Sequence, residues 1–374
     1  MVLLGPWIDG DRCVGYRIAM NVRTYAVIMA GGAGTRFWPA SRQLRPKQLL
    51  RLIADESLLR SAIQRVAPDV VDAQDVLIVT GEHLAESTRN EVVDLGSQVL
   101  VEPMPRNTAP CIVLAAVHVA ASDPEAVMAV LPADHFIGNV PRFQEVCRQA
   151  IQSAATGTIV TLGIQPNRPE TGYGYIRRGT SHTDGVYDVS AFVEKPNVET
   201  AMSYLKEGIY SWNSGMFFMR ADVLLDAVRA HMPKLADGMD RYAAALGTSE
   251  EQTILREVFE ETESISIDYG IMEHESERLA VIPTEFGWSD VGSWRTLIDF
   301  RNPGESNWVQ GDVTTLDCSD SVIVSTGPHV ATIGLEGLAV VATSDAVLVA
   351  PLDRSQDVGK IAKGLKADGR TELV

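Results

Sequence analysis

Apolar residues along this chain come in short bursts separated by amphipathic stretches. Tyr25-Ala26-Val27-Ile28-Met29, Val76-Leu77-Ile78-Val79, Val99-Leu100-Val101, Val127 to Leu131 and Thr158 to Ile164 read as strands buried on both faces. Between them the spacing turns helical. Asp55-Glu56-Ser57 caps a helix with Leu58, Leu59, Ile63 and Val66 on its apolar face, and His83 to Leu95 forms the next. Asn107 or Thr108 caps a helix running to about Ala121, and Pro141 to Ala155 is another. Strands spaced by helices imply βαβ crossovers, so the class is α/β with a Rossmann-like, doubly wound sheet.

After Gln165 the pattern changes. Gly172 to Ile176, Val189 to Val193 and Gly215 to Met219 read as strands without long crossovers, so the sheet becomes mixed and the inserted segments wall off one side of a pocket. Helices follow at Ala221 to His231, Lys234 to Leu246 and Glu250 to Phe259, then a strand at Leu279 to Pro283, and Ser293 to Asn302 closes the main domain. From about Gly304, short β pieces at 321–324, 330–333, 338–342 and 346–350 alternate with Gly, Asp and Ser turns, and a helix runs from Asp357 to about Leu365. The repeat is too irregular to assign a solenoid from spacing. The expected division is an N-terminal extension at 1–22, with Met20 as an alternative start, a catalytic domain at 23–303 and a C-terminal β-rich unit at 304–374.

Composition narrows the function. The 374 residues are 45% hydrophobic and 22% charged, with net charge -17. An acidic surface argues against nucleic-acid and anionic-membrane partners. No apolar run is long enough to span a bilayer, and Asp9, Asp11 and Arg12 interrupt any signal-peptide core, so a cytoplasmic location is expected. Cys13, Cys111, Cys147 and Cys318 show no C-x-x-C and no His nearby at zinc spacing, so reduced thiols are expected.

Against that acidity stands a cationic island. From Thr24 through Ala54 there is no Asp or Glu, while Arg36, Arg42, Arg45, Lys47 and Arg51 all fall there, just after the glycines of Gly31-Gly32-Ala33-Gly34-Thr35-Arg36. Bare amides beside fixed cations suit a polyphosphate. The loop is not a dinucleotide fingerprint, because Phe37 takes the last small position and no acid follows at the ribose spacing; nor is it a Walker loop, because G-K-[ST] is absent after the glycines.

The same loop, with Phe37-Trp38-Pro39-Ala40-Ser41-Arg42 and Pro46-Lys47-Gln48, resembles the sugar-1-phosphate nucleotidylyltransferases, and the mannose-1-phosphate guanylyltransferase branch in particular. Leu131-Pro132-Ala133-Asp134-His135, Phe192-Val193-Glu194-Lys195-Pro196, Trp212-Asn213-Ser214-Gly215-Met216-Phe217, Ser266-Ile267-Asp268-Tyr269-Gly270 and Gly287-Trp288-Ser289-Asp290-Val291-Gly292 extend the likeness in order along the chain. The resemblance implies a nucleotidyltransferase, GT-A-like fold with a small left-handed β-helix-like C-terminal unit that mediates dimerisation, hence a homodimer. It implies GTP and mannose 1-phosphate as substrates and GDP-mannose as product, with Mg²⁺ held by Asp134 and Asp290. Arg36 and Lys47 would hold the triphosphate, and Lys195 the sugar phosphate. Gly31, Gly32, Gly34, Thr35, Asn107, Thr108 and Pro110 fall to the nucleotide. Glu194 and Asn213 fall to sugar hydroxyls, with Gly172 and Gly174 allowing close backbone approach. Tyr173 and Trp212 are wall or core, and His135 is structural. The rival readings are the same chemistry on a glucose or heptose phosphate, and a non-catalytic GDP-sugar-binding regulatory subunit. Retention of Arg36, Lys47, Asp134, Lys195 and Asp290 speaks against the second.

Overall fold

The computed structural model describes residues 22–32, 34–183 and 185–374; the alternative start at Met20 lies outside them. The chain opens with β1 (Thr24–Met29), α1 (Leu58–Gln64), β2 (Val76–Gly81), α2 (Ala85–Val92), β3 (Gln98–Glu102), α3 (Thr108–Ser122) and β4 (Val127–Pro132). A two-residue β5 (Phe136–Ile137), α4 (Val140–Ala154) and β6 (Ile159–Ile164) follow. Next come β7 (Tyr175–Thr183), β8 (Val186–Val193), α5 (Val198–Glu207) and β9 (Tyr210–Arg220). Helices α6 (Ala221–His231), α7 (Pro233–Ala245), α8 (Glu251–Glu261) and α9 (Ile267–Gly270) lead to β10 (Leu279–Thr284) and β11 (Trp288–Ser289).

Nine strands form one mixed sheet in the order β3-β2-β1-β4-β9-β6-β10-β8-β7. Strand β1 runs parallel to β2 and β4, and β6 runs parallel to β10; β9 joins the two groups antiparallel to both β4 and β6. The carboxyl ends of β1, β3, β4 and β6 therefore open at one edge. Across it Asn213 of β9 lies opposite Gly163 at an irregular register. Such an edge is where open α/β sheets bind ligands. Helices α3 and α6 to α8 cover one face and α1 with α4 the other, each over a continuous apolar core. Local signals set the ends. Ser57 accepts from Arg60 N to start α1, and Asn197 accepts from Thr200 N to start α5, which ends at left-handed Gly208.

The C-terminal unit holds β12 (Trp308–Gln310), β13 (Val313–Leu316), β14 (Val322–Ser325), β15 (Val330–Ile333), β16 (Leu338–Ala342), β17 (Val347–Pro351) and α10 (Val358–Ala367). Strands β12, β14 and β16 stack in parallel, β13 and β15 stack in parallel beside them, and β17 folds back antiparallel on β16. The chain thus coils through the same two faces in turn, as a β-helix does. Its rungs differ in length, so no even repeat shows in the sequence.

This unit does not stand apart. Phe37, Trp38, Leu50, Leu52 and Leu58, from just beyond the glycine loop, share a third core with Trp294 and Leu297 and with Val322, Val341, Leu348, Val358 and Ala362. The Trp38 indole donates to Leu373 O at 2.8 Å, and Trp294 donates to Trp38 O at 3.1 Å. Each large apolar side chain buried here contributes roughly 1.5–3 kcal/mol, so the β-helix and the loop beside the glycines form one packed body.

Two expectations need correction. Gly172-Tyr173-Gly174 is not strand, since β7 begins at Tyr175 and the glycines stay irregular where they line a cavity. The helix expected from His83 to Leu95 is a 3-10 turn over Glu82–Leu84 followed by a shorter α2. The segment 293–302, whose element type the sequence leaves open, carries a 3-10 helix over Trp294–Phe300, and α5 has no counterpart among the expected elements.

Candidate active site

Two cavities of about 530 and 500 Å³ open at the carboxyl edge of the sheet and share Asp134, His135 and Asp290 as a common wall. Asp134 follows β4, while Asp290 follows β11, which pairs with β5 and so brings this distant turn beside the end of β4.

Gly31 and Gly32 after β1, Glu102 at the end of β3, and Asn107 and Thr108 at the start of α3 line one end of the first cavity. Asn107 sits at φ 69 and its side chain accepts from Thr108 N at 2.9 Å, while Thr108 Oγ1 accepts from Ile267 N at 2.9 Å. The loop, the helix start and α9 are thereby fixed to one another. Glu102 is only 5% exposed, its Oε2 has no hydrogen-bond partner among the described residues, and burial pushes its pKa up to about 7. Pro110 lines neither cavity, because in the first turn of α3 it is buried.

Gly172, Tyr173, Gly174, Glu194, Asn213 and Asp268 line the other end. Asn213 donates to Asp268 Oδ1 at 2.8 Å and accepts from Gly215 N at 3.1 Å, so its amide orientation is set. Burial, with the nearby Glu194 charge, pushes Asp268 up to about 6. A Cβ on Gly174 would lie 2.5 Å from Glu194 Oε2, so a larger residue there would displace that carboxylate. Lys195 lines neither cavity, and its ammonium bonds Glu194 from a backbone held at φ 46. A non-glycine residue in the left-handed region carries a cost that the surrounding structure must offset. Tyr173 belongs to the wall and Trp212 lies buried behind it, ring centroids 5.3 Å apart.

Gly34, Thr35, Arg36, Lys47, Gln356, Gly359, Lys360 and Lys363 line the second cavity with the shared wall. Lys47 is buried, and its Nζ donates to Asp134 Oδ2 at 2.8 Å and to the Asp290 carbonyl. Burial works against the Asp134 charge, yet the Lys47 ammonium lowers its pKa below the ordinary carboxylate value. Burial pushes His135 down to about 4, so it stays neutral; Trp288 donates to its Nδ1 at 3.2 Å, leaving the proton on Nε2, which lies 4.0 Å from Asp134 Oδ1. Tyr173 donates to Asp290 Oδ1 at 2.7 Å, and burial next to that carboxylate raises the phenol pKa.

Gly34 lies at φ 55 with an added Cβ only 2.4 Å from Lys47 Cβ. Gly34→Ala is therefore expected to push Lys47 off the shared wall and to destabilise the fold by about 1–3 kcal/mol, as thermal unfolding would measure.

For a metal, the shared wall offers two carboxylates and no thiolate. Among the described residues no three His, Cys, Asp or Glu side chains converge as a closed cage. Two carboxylates on a cavity wall are the oxygen donors a hard divalent cation takes. Sequence reasoning does not single out Glu102, Lys360 or Lys363, and it places Asp268 in a motif without giving it a role.

Residues 25–306 match the family model described as nucleotidyl transferase, and residues 311–365 that of the MannoseP isomerase/GMP-like beta-helix domain. A mannose-1-phosphate guanylyltransferase of Escherichia coli is 42% identical over 354 residues, covering 92% of this chain and 74% of its own length. Its counterpart in Salmonella typhimurium is 40% identical over 353 residues, covering 92% and 73%. A crystal structure from Thermus thermophilus, described as a mannose-1-phosphate geranyltransferase, superposes with a TM-score of 0.84 at 36% identity, over 92% of this chain and 99% of that one.

Proposed function

The chain belongs to the nucleotidyl transferase family, and from that premise we propose that it transfers GMP from GTP to α-D-mannose 1-phosphate, giving GDP-mannose and pyrophosphate. The observation that carries this reading is the Lys47–Asp134–Asp290 wall, which stands between a nucleoside- and sugar-sized cavity and a cationic one.

The sugar-phosphate oxygen is already ionised and needs no general base. It forms a bond to the α-phosphorus as the bond from that phosphorus to the β-bridging oxygen breaks, and the electron pair departs with pyrophosphate. The difficulty is repulsion: a like-charge pair at ~4 Å costs roughly 4 kcal/mol at an effective dielectric of about 20. Arg36 and Lys47 offset it on the triphosphate, over the amides of Gly31, Gly32, Gly34 and Thr35. Lys195, released from Glu194, holds the sugar phosphate, and Glu194 and Asn213 take the sugar hydroxyls while Asn213 fixes Asp268. Mg²⁺ bound by Asp134 and Asp290 would supply charge neutralisation at the reacting phosphate. Asn107 and Thr108 shape the base end with Gly31 and Gly32. The buried Glu102 carboxylate accepts from guanine N1–H and the exocyclic amine, a donor pair that adenine, cytosine and uracil lack.

The reading includes a cytoplasmic homodimer and the division at 1–22, 23–303 and 304–374. No helix among the described residues is long and apolar enough to cross a membrane. Exposed Leu316, Ile333, Val347 and Val349 on the β-helix support an interface between copies. A pyrophosphate-release assay crossing the four nucleoside triphosphates with mannose, glucose and heptose 1-phosphates tests the function. Turnover is expected to be highest with GTP and mannose 1-phosphate, and no turnover with that pair overturns the proposal.

A further inference from the structure

The cationic cavity has a second wall, and the far end of the chain supplies it. The sequence holds seven lysines, and three of them, Lys360, Lys363 and Lys366, fall in α10, a helix with no acidic residue. Spacing of three puts Lys360 and Lys363 on one helical face, and both line the same cavity as Arg36 and Lys47. The helix is not free to turn. Val358 and Ala362 are buried in the core shared with Phe37 and Trp38. A Cβ on Gly359 would lie 3.2 Å from Thr35 Oγ1, so α10 is seated directly on the 3-10 turn that follows the glycine loop. A glycine inside a helix costs about 1 kcal/mol relative to alanine, and here it permits that close approach.

We propose that α10 forms the outer wall of the pyrophosphate site, with Lys360 and Lys363 contacting the β- and γ-phosphates of the bound triphosphate and the pyrophosphate that leaves. The inference rests on the transfer reaction proposed above. In that reading the reacting phosphorus sits at the Asp134–Asp290 wall, and nucleoside and sugar phosphate fill the first cavity. The second cavity is then the remaining direction for an in-line leaving group. Its other charges are the two carboxylates of the shared wall, which face the reacting phosphorus. Lys360 is shared with Asp357 at 2.7 Å, whereas Lys363 forms no ion pair among the described residues and is the freer cation. In a chain of net charge -17, a multivalent anion is held only where cations are concentrated locally. The C-terminal unit thus belongs to the active site of its own chain.

The test uses the full-length protein and the variants K363R, K363A and K360A/K363A. Both lysines are exposed, so the variants are expected to fold with unchanged unfolding midpoints. Inorganic pyrophosphate is titrated calorimetrically in the presence of Mg²⁺, without nucleotide or sugar, so the result does not depend on which base or sugar is used. KM values are then measured for GTP, for mannose 1-phosphate and, in the reverse direction, for pyrophosphate. The double variant is expected to weaken pyrophosphate binding and to raise KM for GTP and pyrophosphate by roughly tenfold. KM for mannose 1-phosphate stays within about twofold, and K363R stays near wild type. Unchanged pyrophosphate affinity in the double variant, or equal rises in KM for GTP and mannose 1-phosphate, would overturn the proposal. Failure of wild type to use GTP with mannose 1-phosphate, alongside a lysine-dependent pyrophosphate titration, would instead fault the substrate assignment and leave this site standing.

Discussion

Lys47→Ala is expected to lose transfer activity by a factor of about 10²–10³ in kcat, the scale seen when one electrostatic donor is removed from a preorganised site. Lys47 reaches both sides of the reaction. It is buried, it bonds Asp134 and the Asp290 carbonyl, and it lies against Gly34 of the phosphate loop. Removing it takes one positive charge from the triphosphate and also frees the two acidic residues to shift. A second effect accompanies the first. Breaking one side of a fully buried ion pair costs about 3–5 kcal/mol; Asp134 is about one-third exposed to the cavity, which reduces the expected loss of stability to roughly 1–3 kcal/mol. The variant should remain folded with a lower unfolding midpoint. Steady-state kinetics and calorimetric unfolding check both, and a rate close to wild type would remove Lys47 from the mechanism.

Glu102→Gln is expected to move activity and stability in opposite directions. The carboxyl ionises near pH 7 in the folded protein against about 4.5 ordinarily, because it is buried and its Oε2 has no partner. A folded pKa raised above the unfolded one gives a contribution that is fully present below the unfolded value and is lost as pH rises through the folded value. The Glu102 contribution to wild-type stability should therefore fall between about pH 4.5 and pH 7 and then level off, by an amount on the order of 3 kcal/mol. The glutamine variant lacks that slope and should be the more stable protein at pH 8, with the difference vanishing near pH 4. Its kcat/KM for GTP should drop about ten- to a hundredfold, because an amide cannot accept from both guanine donors. Parallel melting curves at pH 4 and pH 8, or an unaltered preference for GTP over ATP, would contradict the assignment.

The parts of the fold that could be read from the residues are those fixed by local chemistry. Strands β1, β2 and β4 are buried on both faces and so appear as unbroken apolar runs; α1 and α3 announce themselves through Ser57 and Asn107. The β-helix could not be read in the same way, since Trp308, Val322 and Ala339 stack at unequal intervals along the chain. In the site, Arg36, Lys47, Asp134, Glu194, Asn213 and Asp290 lie within contiguous motifs. Glu102 is a lone acid before a proline, and only the sheet reveals that its carboxylate is buried at the wall of the first cavity. Asp268 depends on Asn213, which a β-bulge in a distant strand presents to it. Lys360 and Lys363 come to the cavity beside the glycine loop only through tertiary packing, and no local pattern encodes that placement. Pro110, in the first helical turn, faces the core.

In the proposed transfer a phosphate oxygen of mannose 1-phosphate attacks the α-phosphorus of GTP. Supplying GTP, Mg²⁺ and mannose 1-phosphate whose three non-bridging oxygens carry ¹⁸O, then weighing the products by mass spectrometry, follows that oxygen. GDP-mannose is expected to retain all three labels, together with unlabelled pyrophosphate. Label released as free phosphate, or no GDP-mannose from folded protein, would contradict it.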